Sequence, residues 1–303
     1  MKFQHLYPFQ SHWFDLEGLR YHYVDEGPSD APVIVMLHGN PTWSFYYRTL
    51  IPELSQRYRV IAPDHIGCGL SDKPQNYPYT LAQHIHNLEA FLTHLKVSRI
   101  MLVAHDWGGA IGMGYATRQP ANVARLVMFN TAAFFVPTLP WRIRICRIPW
   151  LGAFLVRGLN GFARGAQVFA TAQPHRFTRA VRAGYLAPYD TWANRIALYR
   201  FVQDIPMAAS HPTRRTLDAI EAALPRLRQH PLLIIWGAQD FCFTPQAFLP
   251  KWREHFPQAE VHILPQAGHY VVEDAYEQIL PLLGEFLQRC DHLNNSSPQK
   301  HEE

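Results

Sequence analysis

Short apolar runs that end in turn residues recur along the first 130 residues, and stretches with helical spacing separate them. Continuous apolar runs of this length are typical of buried parallel strands. The predicted strands cover residues 18–27, 32–39, 58–64, 99–104 and 124–130. A helix is predicted over residues 80–96, with one face formed by Leu81, Ile85, Leu88, Leu92 and Leu95. Strands that alternate with helices predict an α/β fold with a largely parallel sheet.

The alternation stops after Asn130 and resumes with predicted strands at residues 231–237 and 259–266, followed by a closing helix at about 274–289. Between them lie helical patches, prolines and aromatic residues. We therefore predict a core formed by residues 1–133 and 228–290. A helical cap, residues 134–227, is inserted over the carboxyl ends of the strands, where α/β proteins bind ligands. The polar residues 291–303 predict a disordered tail.

Composition is that of an ordinary globular protein, with 303 residues, 48% hydrophobic and 17% charged. The four cysteines lack CxxC spacing, so we expect neither a zinc site nor a disulfide framework. The amino terminus has no apolar signal region, and no apolar run approaches the roughly 20 residues of a membrane span. These features predict a cytoplasmic protein.

The net charge of +4 is unevenly distributed, because residues 141–182 contain eight arginines and no acidic residue. Trp, Ile, Leu and Phe are interleaved with these arginines. One interpretation is a basic, amphipathic surface that contacts a partner protein or anionic lipid at the membrane periphery. The other is a cap whose arginine stems cover apolar surface. No nucleic-acid recognition motif accompanies the charge, so we expect no nucleic-acid partner.

Residues 104–112, AHDWGGAIG, lie between the apolar run RIMLV and a helical pattern. A strand, a sharp turn flanked by small residues and a helix form a nucleophile elbow. Its apex is Asp106, where a serine or cysteine is more familiar. A carboxylate in a dry pocket can displace a leaving group from saturated carbon or open a strained ring. Asp106 therefore predicts chemistry on C–halogen bonds, epoxides or other strained rings, and excludes an ordinary serine esterase.

Two more residues complete a catalytic triad. Asp240 follows the strand LLIIWG, and His269 follows the last predicted strand in AGHYVVED. Alone, each residue is more often structural. Together they give the order nucleophile, acid, histidine at the ends of different strands, which is the order of the α/β-hydrolase fold. We predict that His269 acts as general base toward water and that Asp240 orients it.

The run HGNPTWSFYYR at residues 38–48 adds anion-binding groups. The backbone N–H groups of Asn40 and Trp107 are predicted oxyanion donors. The Asn40 amide and the Trp107 indole add two side-chain donors beside the nucleophile, able to hold a departing anion. The alternative is that Asn40 only forms a turn with Pro41 and Trp107 only packs.

The motifs HGNPTW, DHIGCGLSDKP and HDWGG resemble the haloalkane dehalogenases, and the likeness extends over residues 10–288. The resemblance implies an α/β-hydrolase fold with helices on both faces of the sheet and an inserted helical cap. It implies Asp106 as nucleophile, His269 as base and Asn40 with Trp107 as halide clamp. In one subgroup the acid follows the sixth strand. Asn130 occupies that place here, so the acid should be Asp240, the pattern of the third subgroup.

That subgroup also resembles the β-lactone decarboxylases of bacterial long-chain olefin synthesis, with further likeness in HLYPFQSH, GYLAPYDTWANR and FVQDIP. The resemblance implies conversion of a cis-3,4-dialkyl β-lactone to a cis-alkene and carbon dioxide. Asn40 and Trp107 would then stabilise a carboxylate. We rank this reaction first and haloalkane dehalogenation second. Both use the same catalytic residues, so the motifs do not separate them.

Three other classes fit the motifs less well. An epoxide hydrolase resembles the triad but needs two cap tyrosines, for which Tyr185, Tyr189 and Tyr199 are candidates, and an aromatic residue where Asn40 stands. Fluoroacetate dehalogenases have arginine after the nucleophile, where this chain has Trp107. A non-catalytic scaffold usually lacks a triad member, and none is missing here.

The predicted substrate is a small hydrophobic molecule with alkyl chains. Aromatic residues that could line its pocket are Trp43, Phe134, Tyr185 and Trp192. No metal-binding or cofactor motif accompanies them, so we expect the reaction to use neither.

Overall fold

One sheet of eight strands forms the centre of the computed structural model, which describes residues 3–295. The strands are β1 (Ser11–Leu16), β2 (Leu19–Glu26), β3 (Val33–Leu37), β4 (Arg59–Pro63), β5 (Ile100–His105), β6 (Val123–Phe129), β7 (Leu232–Gly237) and β8 (Glu260–Leu264). Their order is β1-β2-β4-β3-β5-β6-β7-β8. β2 is antiparallel to both of its neighbours, and the strands from β4 to β8 are parallel. The predicted α/β class is confirmed.

Helices cover both faces of the sheet. They are α1 (Ile51–Leu54), α2 (Leu81–Leu95), α3 (Trp107–Arg118), α4 (Trp141–Ile145), α5 (Leu151–Ala153), α6 (Gly161–Phe169), α7 (Arg179–Leu186), α8 (Ile196–Gln203), α9 (Pro212–Ala223), α10 (Pro245–His255) and α11 (Val271–Asn295). The buried apolar residues form two clusters, and strand β5 contributes side chains to both. Met101 and Val103 join the apolar cluster under α11, whereas Leu102 and Ala104 join the cluster with α2 and α3. Successive side chains of a strand point to opposite faces, so a strand covered on both sides is apolar throughout.

The sheet differs from its prediction at both ends. β1 was not predicted, because only Leu16 of its six residues is buried and an edge strand of this kind has no clear apolar alternation. β8 ends at Leu264, before the predicted residue 266. The Leu264 carbonyl accepts a hydrogen bond from Ala267 N–H at 3.2 Å, so the chain turns there.

The closing helix is longer than predicted. α11 begins at Val271 rather than at residue 274, with a kink at Ala275, where φ is −148°. It continues through residues 291–295, so the predicted disordered tail does not begin at residue 291. The remainder of that predicted tail, residues 296–303, lies outside the described residues.

Between β6 and β7 the regular elements of the described chain are all helical. α9 packs against α2 and α3, and its Leu217 and Ile220 belong to the core cluster of those helices. α9 thus lies within the predicted cap segment and packs on the core, and the cap bounds of 134–227 stay a prediction.

A buried ion pair connects the closing helix to the cap. The guanidinium of Arg48 donates to both carboxylate oxygens of Glu273 on α11, at 2.8 and 2.7 Å. The hydroxyl of Tyr185 on α7 donates to the same carboxylate at 2.9 Å. Only 5% of each charged side chain is exposed, so each charge depends on its partner for solvation.

Removing only the cation should therefore be costly. Arg48→Met leaves the Glu273 carboxylate buried without its counter-charge, and we expect the free energy of unfolding to fall by about 3–5 kcal/mol. The double variant Arg48→Met/Glu273→Gln removes both charges and keeps an acceptor for Tyr185, so it should lose less. Urea denaturation followed by circular dichroism measures both. A double variant as unstable as the single one would contradict this account.

Candidate active site

The nucleophile elbow places Asp106 directly after β5 with a φ of +52°, a left-handed backbone that is rare for aspartate. Small neighbours make the turn sterically feasible. A Cβ on Gly39 would lie 2.1 Å from Asp106 Oδ1, and one on Gly108 would lie 2.2 Å from the carbonyl oxygen of Leu37. The Thr131 hydroxyl donates to the Asp106 carbonyl. The apex is thus held by its surroundings, as strained functional turns require.

The two oxygens of the Asp106 carboxylate have different surroundings. Oδ1 accepts the backbone N–H of Asn40 at 2.6 Å, whereas Oδ2 lies 3.6 Å from His269 Nε2. Burial raises the pKa of Asp106, and the positive charge of His269 and the backbone N–H groups of Asn40 and Trp107 oppose that rise. The expected oxyanion donors therefore contact the nucleophile itself. The Asn40 N–H anchors Oδ1, and Oδ2 faces the imidazole of His269.

His269 is oriented by Asp240. His269 Nδ1 lies 2.8 Å from Asp240 Oδ2, and Asp240 Oδ1 accepts the backbone N–H groups of Cys242 and Phe243 at 2.6 and 3.0 Å. The Phe243 ring stacks on the imidazole at 5.6 Å. Burial lowers the pKa of His269, but Asp240 and Asp106 raise it by more, so the net shift is upward. Because a carboxylate only accepts, Nδ1 carries a proton and Nε2 faces Asp106.

Two further side chains position this pair, Asn130 and His105, and sequence reasoning did not predict their contacts. Asn130 donates to Asp240 Oδ2 at 2.7 Å and accepts from Gly237 N–H at 2.9 Å. It thus supports Asp240 from the end of the neighbouring strand β6. His105, whose pKa burial lowers well below its usual value, is neutral and donates Nε2–H to the His269 carbonyl at 2.9 Å.

The loop that carries His269 is also tied to the cap. The carboxylate of Asp274 accepts the backbone N–H groups of Gly268 at 2.7 Å and Ala172 at 2.8 Å, and it also binds the Thr171 hydroxyl. Burial raises the pKa of Asp274, and these hydrogen bonds oppose that rise. One buried carboxylate therefore holds the catalytic loop and the end of α6 in register.

Asn40 and Trp107 border the same cavity as Asp106 and His269. The Asn40 amide donates one N–H to the carbonyl of Leu198 at 3.1 Å, which leaves its second N–H. Within residues 3–295, no protein acceptor takes the Trp107 indole N–H. Two N–H donors beside a buried nucleophile are suited to an anion that develops during reaction.

The cavity has a volume of about 410 Å³ and largely apolar walls, within the range of small-molecule sites. Phe134 lines it, as predicted. Its walls lead from Asp106 to the exposed side chains of Trp141 and Phe169 in the cap. The shape and lining are suited to a hydrophobic molecule with its reactive group at the polar end.

The other three predicted pocket residues do not reach the described walls of this cavity. Trp43 is buried elsewhere and donates its indole N–H to the Gly184 carbonyl at 3.1 Å. Tyr185 is bound to Glu273, and Trp192 is 48% exposed on the outer surface. A hydrogen bond holds Trp43 and Tyr185 away from the cavity, and Trp192 lies at the surface, so these three predictions are wrong.

Metal-binding clusters of three or more His, Cys, Asp or Glu side chains are absent from the described part of the chain. That the reaction needs no metal and no cofactor stays a prediction.

Residues 32–276 match the family of the alpha/beta hydrolase fold, in keeping with the sheet and the order of the triad. The chain belongs to that family. This α/β-hydrolase is 46% identical over 295 residues to a cis-3-alkyl-4-alkyloxetan-2-one decarboxylase of Shewanella oneidensis, covering 95% of this chain and 91% of that one. It is 35% identical to haloalkane dehalogenase 2 of Mycobacterium bovis, covering 90% and 93%. The structure of haloalkane dehalogenase DbeA from Bradyrhizobium elkani superposes with a TM-score of 0.87 at 26% identity, covering 94% and 99%.

The coupling of His269 to two carboxylates should be visible without substrate. We expect its imidazole to titrate above about 6.5 in NMR spectra of histidine-labelled protein. Asp106→Asn removes one negative charge and should lower that pKa, and Asp240→Asn should lower it further. The protein has 17 histidines, so the resonance of His269 is identified as the one that disappears in the variant His269→Gln. Titration at or below the ordinary value, insensitive to Asp106→Asn, would contradict this coupling.

Proposed function

We propose that this α/β-hydrolase converts a cis-3,4-dialkyl β-lactone to a cis-alkene and carbon dioxide, with Asp106 as nucleophile. The observation that carries the proposal is the Asp106 carboxylate, which has one anchored and one free oxygen at the polar end of an apolar cavity. The 46% identity to a decarboxylase of this substrate class supports the choice of reaction.

The first step opens the ring. Asp106 Oδ2 attacks C4, the ring carbon bonded to the ring oxygen, and the C4–O bond breaks with its electron pair passing to that oxygen. The product is an alkyl ester on Asp106 with a free carboxylate on the neighbouring carbon C3. Attack at C4 is favoured on chemical grounds, because it creates both the carboxylate that leaves as carbon dioxide and the β leaving group. The N–H donors of Asn40 and Trp107 stabilise the new carboxylate.

The second step fragments the ester. The bond from C3 to the carboxylate breaks, its electrons form the C3=C4 double bond, and the bond from C4 to Asp106 Oδ2 breaks. Carbon dioxide leaves and the Asp106 carboxylate is regenerated, so neither water nor a proton is consumed. Inversion at C4 in the first step places the two leaving groups anti to each other. Anti loss then keeps the two alkyl groups on the same side, which gives a cis-alkene.

His269 and Asp240 support this cycle electrostatically. Protonated His269, favoured by its raised pKa, faces Oδ2 and stabilises the carboxylate that departs in the second step. Asp240 keeps the imidazole oriented. In a hydrolytic reaction neutral His269 would instead activate water to attack the aspartyl ester.

Haloalkane dehalogenation is the second candidate, because the 35% identical relatives and the DbeA structure carry that name. A halide would occupy the place of the developing carboxylate. An epoxide hydrolase is less well supported. The Tyr185 hydroxyl is bound to Glu273 and that of Tyr189 to the Thr42 carbonyl, and Tyr199 is likewise absent from the described lining of the cavity.

We also place the reaction in long-chain olefin synthesis and the protein in the cytoplasm. The apolar cavity and the decarboxylase relatives support the first part. The free cysteines Cys68, Cys146 and Cys242 support the second. Across residues 3–295, no helix is both long and apolar enough to cross a membrane.

The two candidate reactions differ in their use of water. Purified protein is given a cis-β-lactone with two long alkyl chains, or a 1-iodoalkane, in H₂¹⁸O, and alkene and iodide are quantified. We expect prompt alkene from the lactone, and Asp106→Asn should abolish it. After many lactone turnovers the Asp106 peptide should contain no ¹⁸O, because fragmentation returns the original oxygens.

Hydrolysis of an aspartyl ester would instead incorporate ¹⁸O into Asp106 and accumulate the ester in His269→Ala, as intact mass spectrometry would show. Fast iodide release with an untouched lactone would replace the decarboxylase proposal with a dehalogenase. Alkene formation with ¹⁸O in Asp106 would keep the reaction and overturn the fragmentation step.

The side-chain donors give a separate prediction. Asn40→Ala removes the amide N–H and should lower kcat by about 10²-fold, as expected for loss of one oxyanion donor. Trp107→Phe keeps the aromatic packing and should give a loss of similar order. Asn87→Ala, a buried amide bound to Tyr77 and outside the cavity lining, is the matched control and should leave kcat near that of the wild type. An unchanged rate in Asn40→Ala would remove this side chain from the site.

A further inference from the structure

Exposed apolar side chains are concentrated on one part of the cap. Of the twelve large hydrophobic residues that are exposed in the described chain, nine lie between residues 141 and 192. We call this set the cap face: Trp141, Ile148, Trp150, Leu151, Phe154, Leu159, Val168, Phe169 and Trp192. Trp150 is 88% exposed and has a φ of +63°, a left-handed backbone that bulky residues seldom adopt. Apolar exposure of this density marks an interaction surface.

Arginines accompany these side chains, and the one acidic residue in the sequence between 141 and 192 is Asp190. The Arg142 guanidinium lies 4.9 Å from the ring centre of Trp141 and 4.7 Å from that of Phe169, and Arg157 lies 4.7 Å from Trp192. Because residues 141–182 contain no Asp or Glu, nothing within that segment neutralises its arginines. Arg176 pairs with Glu277 of α11 at 2.9 Å, and the other arginines leave a surface that is both apolar and cationic.

Four of the segment's arginines, Arg142, Arg144, Arg164 and Arg179, are exposed and take part in no ion pair within residues 3–295. Arg147 is partly buried and donates to the carbonyls of Val202 and Ile205, so it is not available in the same way. Free cations beside exposed tryptophan and phenylalanine match the composition of interfacial membrane-binding segments.

The cavity opens on this surface. Trp141, Arg142 and Phe169 are exposed residues of the cap and also line the cavity that ends at Asp106. An apolar molecule held in a lipid layer against the cap face would reach the nucleophile without crossing water. The arrangement has this consequence whichever of the two candidate reactions is correct.

We propose that the cap face binds the surface of a bilayer containing anionic lipid and takes an apolar substrate from it. Tryptophan and phenylalanine enter the headgroup region, and the arginines meet lipid phosphates. Trp150 supports a lipid partner over a protein partner, because its projecting, almost fully exposed ring is suited to a deformable layer. The described helices include none that could span a membrane, so the attachment is peripheral.

The test measures, by co-flotation, how much of the full chain binds to lipid vesicles. One set of vesicles contains phosphatidylcholine alone, and the other contains about 30% of the anionic lipid phosphatidylglycerol. We expect binding to the anionic vesicles that weakens as salt rises. Arg144→Gln/Arg164→Gln should lower the partition coefficient about fivefold for each arginine. Trp150→Ser/Phe154→Ser should lower it about tenfold or more.

Matched controls lie outside the cap. Trp13→Ser removes an exposed tryptophan of β1, and Arg57→Gln/Arg253→Gln removes two exposed arginines, and these variants should bind as wild type. Failure to bind either vesicle, or equal losses in control and cap variants, would overturn the proposal. So would cap variants that change the oligomeric state in light scattering while vesicle binding stays unchanged, because the face would then be a protein interface.

Discussion

The buried carboxylate of Asp106 is the constraint on which the site depends. An ionised carboxylate loses hydration when it is buried, and this raises its pKa, so the fold must supply compensating charge and donors. The backbone N–H groups of Asn40 and Trp107 and the imidazole of His269 do so. The compensation is asymmetric, because one oxygen receives the short hydrogen bond from Asn40 and the other faces His269 at 3.6 Å. That asymmetry gives the two oxygens of one carboxylate different surroundings, one hydrogen-bonded to the backbone and one beside the imidazole.

The parallel sheet makes this arrangement possible. Asn40, Asp106, Asn130, Asp240 and His269 follow five different strands, and the carboxyl ends of parallel strands meet at one edge. Two buried carboxylates of α11 connect the cap to the core. Glu273 binds Arg48 and the cap residue Tyr185, and Asp274 binds the loop of His269 and the end of α6. The closing helix therefore aligns the cap with the nucleophile.

The triad was predictable because its members follow apolar runs that identify strand ends, and a sharp turn such as HDWGG has few structural interpretations. The pocket was not. Trp43, Tyr185 and Trp192 are aromatic like Phe134, but which aromatic residue faces a cavity depends on contacts between segments more than a hundred residues apart, such as Trp43 with Gly184. The role of Asn130 was hidden for the same reason, since its partner Asp240 is 110 residues away. Edge strand β1 was missed because an edge buries too little to leave a pattern.

The same residues can serve hydrolysis or decarboxylation because the nucleophile and the anion donors are common to both, and the bond broken after the first step is not. An aspartyl ester with no adjacent carboxylate needs water to release Asp106. An aspartyl ester with a carboxylate on the adjacent carbon releases Asp106 without water, because loss of carbon dioxide supplies the electrons that expel the aspartate. The substrate itself then determines whether His269 acts as a base or only as a charge.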